Sequence, residues 1–171
     1  MQKITPCIWF EDKCEEAVNF YVDVFNGNPN KKQESKIEMI QRYEEGMETP
    51  GIEKMVGKVL TTIFWLDGTR LMALDGGPGV FKLSGAISFV IEPQDQEETD
   101  YFWEKLSAVP DAEVCGWLTD KYGLTWQISP KRLGELLMDP DKEKAHRVTN
   151  AMLKMKKILI SDLEKAYKGG E

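Results

Sequence analysis

Apolar and polar positions alternate at the start of the chain. In "ITPCIWFEDKCEEAVNFYVDVFNG", Ile4, Pro6, Ile8 and Phe10 fall on one side of an extended segment, with Thr5, Cys7 and Trp9 on the other; this is the period of a half-buried strand. The period then lengthens. Cys14, Ala17, Val18, Tyr21, Val24 and Phe25 follow at helical spacing, which predicts an amphipathic helix. Asp12 is its expected N-cap, with Glu15 as the reciprocal partner, and Gly27 its C-terminal stop. The same grammar returns at "AISFVIEPQDQEETDYFWEKLSA": Ile87, Phe89 and Ile91 alternate as core positions, a turn follows at Pro93, and Thr99, Phe102, Trp103 and Leu106 share a helix face. Each unit then runs into two strands joined at a turn, "VLTTIFWLDGTRLMAL" around Asp67–Gly68 and "EVCGWLTDKYGLTWQI" around Asp120–Gly123.

The copies are unequal. Between helix and paired strands the first holds a further strand at Lys36–Tyr43 and a loop, "EEGMETPG", whereas the second has only "VPDA", so its sheet is expected to lose or shorten one strand. The tail departs from the repeat. "DPDKEKAHRVTNAMLKMKK" places Ala145, Val148, Met152 and Met155 on one helix face, and "SDLEKAY" reads as a last helix with Ser161 and Glu164 as a capping box, closed by Gly169–Gly170. The pattern gives an α+β chain of two βαβββ-type modules, 1–80 and a shortened 81–133, with C-terminal helices over 134–171.

Composition narrows the function. The 171 residues carry a net charge of −7, which repels phosphate backbones and anionic bilayers, so neither nucleic acid nor membrane is an expected partner. No apolar run approaches the roughly 20 residues of a membrane span. The three cysteines, Cys7, Cys14 and Cys115, show neither paired nor CxxC spacing, in keeping with reduced thiols in a cytoplasm.

The linked β-α-β-β units, with "TPCIWF…EEAVNFY", "LDGGP", "AISFVI", "CGWLTDKYGLTWQI", "LGELLMDPD" and "AMLKMKK", resemble the PhnB-like branch of the vicinal oxygen chelate (glyoxalase/bleomycin-resistance) superfamily, often labelled 3-demethylubiquinone-9 3-methyltransferase-like. The resemblance implies paired modules enclosing a cup-shaped cavity, and a homodimer. The superfamily hosts enzymes and metal-free binding proteins alike. Its enzymes hold a divalent ion with His and Glu side chains on the first and last strands of the modules. Carried onto this chain, those positions fall on Thr5 or Pro6, Met72, Ser88 and Gln127. None is an imidazole or carboxylate, and neutral donors do not offset the hydration a divalent ion gives up. No metal and no cofactor is therefore expected. The only histidine, His146, lies in the tail as an exposed helix residue. Gly76, Gly77 and Gly79 form "GGPG" rather than the GxGxxG of a nucleotide-binding turn, and read as a linker.

Alternation leaves Thr5, Cys7, Trp9, Arg70, Met72, Ser88, Thr125 and Gln127 facing the expected cavity, with Trp65 and Trp117 near its ends. Such a wall suits an apolar or aromatic small molecule bearing a polar or anionic group, with Arg70 as the cationic anchor. Cys7 and Cys115 lack any neighbour that would activate a thiol, and Glu11, Asp12, Asp67 and Asp75 read as caps and turn residues. The expectation is a metal-independent small-molecule-binding protein. The competing reading is an enzyme of the same superfamily: a lyase, a dioxygenase or a methyltransferase.

Overall fold

Strand β1, Cys7–Phe10, is followed by helix α1, Cys14–Asn26, and then by β2, Lys36–Arg42, β3, Val59–Leu66, and β4, Thr69–Asp75. The computed structural model describes residues 3–47, 54–77 and 79–170, so part of "EEGMETPG" and Pro78 of "GGPG" lie outside the described residues. Two compact units emerge, Met1–Leu83 and Ser84–Glu171. In the first, the strands order as β1-β4-β3-β2, with β1 parallel to β4 and the other pairs antiparallel. The alternating positions do what period two requires. Ile8, Phe10, Phe64, Leu66, Leu71 and Ala73 are buried on the face that receives Ala17, Val18, Tyr21 and Val24 of α1.

The start of α1 differs from the expected cap. Asp12 has φ 64°, and the position before the helix is Lys13, which makes no side-chain cap. The buried carboxylate of Asp75, at the end of β4, accepts the N–H groups of Asp12 at 2.8 Å and Cys14 at 3.3 Å instead. Asp12 is left to pair with Lys58 and Glu15 with Arg42. Tyr43 Oη donates to the Asp75 carbonyl at 2.8 Å. Gly27 does end the helix, in a right-handed conformation that any residue adopts.

The second unit repeats this on a smaller scale. It contains β5, Phe89–Ile91, α2, Gln96–Leu106, β6, Trp117–Thr119, and β7, Thr125–Ile128, in the order β5-β7-β6. The span between α2 and β6 makes only a short 3-10 turn, Pro110–Ala112, in keeping with a three-stranded sheet. Asp95 caps α2 by accepting from the Glu98 N–H, while Glu98 accepts from Gln94. One core assignment fails: Ile87 is 75% exposed. Strand pairing begins only at Phe89, so the residue two positions earlier has no sheet to pack on. Trp126 is buried as expected, its Nε1–H donating to Asp120 Oδ2 at 2.8 Å. Asp120 Oδ1 takes the N–H groups of Tyr122 and Leu124, so a single carboxylate shapes the turn between β6 and β7.

The tail forms three helices: α3, Lys131–Leu137, α4, Lys142–Met152, and α5, Ile160–Tyr167. Leu133, Leu136, Val148, Ile158 and Leu163 make their core, joined by Met152, Met155 and Tyr167. Helix α4 stops at Met152, so Met155 packs from the segment beyond it. The Ser161–Glu164 capping box does not form. Leu159 occupies the cap position, Gln96 Oε1 accepts the Ile160 N–H at 2.8 Å, and Glu164 binds Arg132. The tail also grips the second sheet. Cys115 and Gly116, both at positive φ, form the tight turn before β6, and their N–H groups donate to the carbonyls of Met155 and Lys156 at 2.8 and 2.7 Å.

Candidate functional site

Each sheet has a second face, away from its helix. In the first unit, β-pleating puts Cys7, Trp9, Thr61, Ile63, Trp65, Arg70, Met72 and Leu74 there. Cys7 lies opposite Met72, Trp9 opposite Leu74, and Trp65 opposite Arg70. The floor is aliphatic and thioether and half-buried on β3 and β4, with Cys7 exposed at its margin and the indoles of Trp9 and Trp65 on the same face.

A polar line crosses this floor. Arg70 Nη1 donates to Thr5 Oγ1 at 3.3 Å, and its Nε lies 3.7 Å from Glu38 Oε2. Trp65 Nε1 donates to the same Glu38 oxygen. Glu38 escaped the sequence reading because a register shift between Ile37 and Met39 places a bulge there. Simple alternation does not give the direction of a bulged residue. Arg70, expected as a bare cationic anchor, is thus balanced by a carboxylate.

Trp9 is more enclosed than its alternation suggests. Phe81 stands edge-on to it with ring centroids 5.0 Å apart. The ring also lies so close to Gly76 that a Cβ there would sit 2.0 Å from Cη2. Gly76 is therefore a packing requirement of Trp9. Glu11, read as a cap or turn residue, accepts the Gly79 N–H at 2.9 Å.

In the second unit the corresponding face carries Val90, Trp117, Thr125 and Gln127, with Ser88 just ahead of β5 and Trp117 opposite Gln127. Gln127 Nε2 donates to Ser88 Oγ at 2.8 Å. Thr125 is buried rather than open; a Cβ added at Gly85 would lie 3.9 Å from its Oγ1, so the segment ahead of β5 covers it. Cys115 sits in the turn, off the strand.

The site chemistry is weakly nucleophilic. Burial pushes the Cys7 thiol up, and burial, with Asp75 beside it, pushes Cys14 up to about 12; neither is a thiolate at neutral pH. The positions where the superfamily binds its ion hold Thr5, Pro6, Met72, Ser88 and Gln127. The Thr5 and Ser88 oxygens accept from neighbouring side chains, and among the described residues no three His, Cys, Asp or Glu side chains converge. These residues do not fit a divalent ion. Nor does the "GGPG" stretch fit a nucleotide-type methyl donor: it leads into no helix, and Gly76 lies against an indole. His146 is exposed on α4. Among the described residues no helix is long and apolar enough to cross a membrane.

Comparison with known proteins places this arrangement. The family described as 3-demethylubiquinone-9 3-methyltransferase matches residues 2–129. A PhnB protein of Bacillus cereus is 33% identical, aligning over 75% of this chain and 99% of its own with a TM-score of 0.59. A protein of Pseudomonas aeruginosa, 18% identical, shares the fold with a TM-score of 0.57 over 76% of this chain and 98% of its own. No curated protein matches.

Proposed function

This chain belongs to the PhnB-like 3-demethylubiquinone-9 3-methyltransferase family of the glyoxalase superfamily, and from that premise we propose that it binds a small planar molecule on its open sheet faces without a divalent ion. The observation that carries the reading is the set of side chains at the ion-holding positions. They are neutral, and two of them, Thr5 and Ser88, are engaged by Arg70 and Gln127. Around them, Trp9, Trp65, Met72 and Ile63 offer an apolar aromatic floor, with few polar groups to fix orientation.

The Arg70–Glu38 pair favours an uncharged ligand over an anion, because a guanidinium already facing a carboxylate gains little from a second. The test uses 2-acetylnaphthalene as a neutral probe, followed by tryptophan fluorescence before and after dialysis against EDTA. Binding should survive the chelator and weaken at least about tenfold in Met72→Arg, which fills the floor with a charged side chain (about 1.4 kcal/mol). Binding lost with EDTA and restored by one divalent ion would overturn the reading. So would calorimetric binding of S-adenosylmethionine, which would support the methyltransferase alternative.

A further inference from the structure

Trp9 Nε1 is fully buried and, among the described residues, has no hydrogen-bond partner. Buried indole N–H groups nearly always find an acceptor, and one left without it keeps the whole of its desolvation cost. Its six-membered ring lies against Gly76, and the Phe81 ring meets the indole at 87° with centroids 5.0 Å apart. Phe81 is itself 61% exposed, so the aromatic ring over Trp9 is held by little except that contact.

We infer that the Trp9 indole N–H is the donor that selects the ligand of this face, hydrogen-bonding to a neutral oxygen acceptor on a planar apolar ring once the Phe81 ring gives way. The inference rests on the proposed use of the open face and adds the chemical class: an aryl ketone or an aryl ether, rather than a carboxylate or a hydrocarbon. The acceptor is neutral because Arg70, the cation nearest the floor, already faces Glu38, while Lys36, opposite Trp65, lies exposed at the edge strand. An oxygen on the ligand meets an N–H that has no other outlet, whereas a hydrocarbon of equal shape leaves it unpaired. Phe81 loses little on moving, since most of its surface is already in water.

The experiment uses the full chain, labelled with nitrogen-15, and two probes of matching outline: 2-acetylnaphthalene and 2-isopropenylnaphthalene, which lacks the oxygen. The Trp9 indole signal is identified by its loss in Trp9→Phe. The ketone should move that proton downfield and bind about tenfold more tightly than the hydrocarbon, a difference of about 1.4 kcal/mol. In Trp9→Phe the ratio should fall to about one while the hydrocarbon still binds. Phe81→Ala, which leaves Trp9 in place, should speed exchange of the indole proton and tighten ketone binding. Equal affinities for the two probes with an unmoved Trp9 signal would overturn the inference and leave binding on the face intact. If neither probe disturbed any indole signal, the inference and the functional reading beneath it would both fall.

Discussion

The carboxylate of Asp75 accepts the backbone N–H of Asp12 at 2.8 Å across a sequence separation of 63 residues, and the N–H of Cys14 at 3.3 Å. The first helix is thus capped by the last strand of its own sheet. Strand and helix are tied through the buried Asp75 carboxylate, and the bond from Cys14 lies where burial excludes water. Removing the acceptor strands the N–H groups of Asp12 and Cys14, and the longer bond from Gly77 at 3.4 Å, each buried donor costing about 1–3 kcal/mol. Asp75→Ala should therefore lower the unfolding free energy by about 3 kcal/mol, and Asp75→Asn, which keeps one oxygen, by about half that. Denaturant titration reads both, and a loss below about 0.5 kcal/mol for the alanine variant would show that the helix is held by its apolar face alone.

Gly116 is the point where the tail meets the second sheet. Its φ is 85°, and a Cβ there would stand 2.9 Å from the Ile128 carbonyl oxygen and 3.1 Å from Ile158 Cγ1. Gly116→Ala must pay for left-handed backbone and also for a contact with main chain, so about 2 kcal/mol or more is expected. Ile158→Ala opens a cavity in a fully buried position, with a cost of about 2–4 kcal/mol. Because the two residues touch, their combined effect should fall short of the sum. Strict additivity in a double-mutant cycle would mean that the contact carries no energy.

Acid should loosen the helical tail. The Arg132 guanidinium bonded to Glu164 holds that carboxyl below its ordinary range, and the Tyr167 hydroxyl does the same for Asp139. A depressed folded value means a contribution fully present above the unfolded value and lost as pH falls through the folded one. The window therefore lies below about pH 4. The thermal midpoint of the native chain should fall as the pH is taken below about 4. Glu164→Gln should start lower at neutral pH and converge with the native curve in acid. Parallel curves would remove Glu164 as a source of the dependence.

The repeat was legible because alternation is local. "TTIFWL" and "GLTWQIS" carry their faces in period two, and Phe64 and Trp126 are buried on the faces that period assigns. What local pattern does not contain is the partner of a polar group. Asp12 has the chemistry of a cap, but Asp75 supplies it. Ser161 has the chemistry of a cap as well, yet the side chain of Gln96 from α2 takes the Ile160 N–H. Ile87 fits the strand period, but no neighbouring strand extends far enough to cover it. On the first sheet Arg70 and Met72 lie on one face, as alternation assigns, and Trp65 stands opposite Arg70. Glu38 was missed because one inserted residue in β2 redirects it, and Phe81 because nothing in a linker sequence says which ring it will meet.

The opposition of Arg70 and Glu38 across the first sheet has a consequence for how the face senses its medium. A surface with one uncompensated charge draws ions from solution and binds its guests more weakly as electrolyte is added. Here the two charges form a dipole a few ångströms long, whose field fades well inside a Debye length. Occupancy of this floor by the proposed uncharged ligand should therefore change little with ionic strength and be governed by shape and dryness.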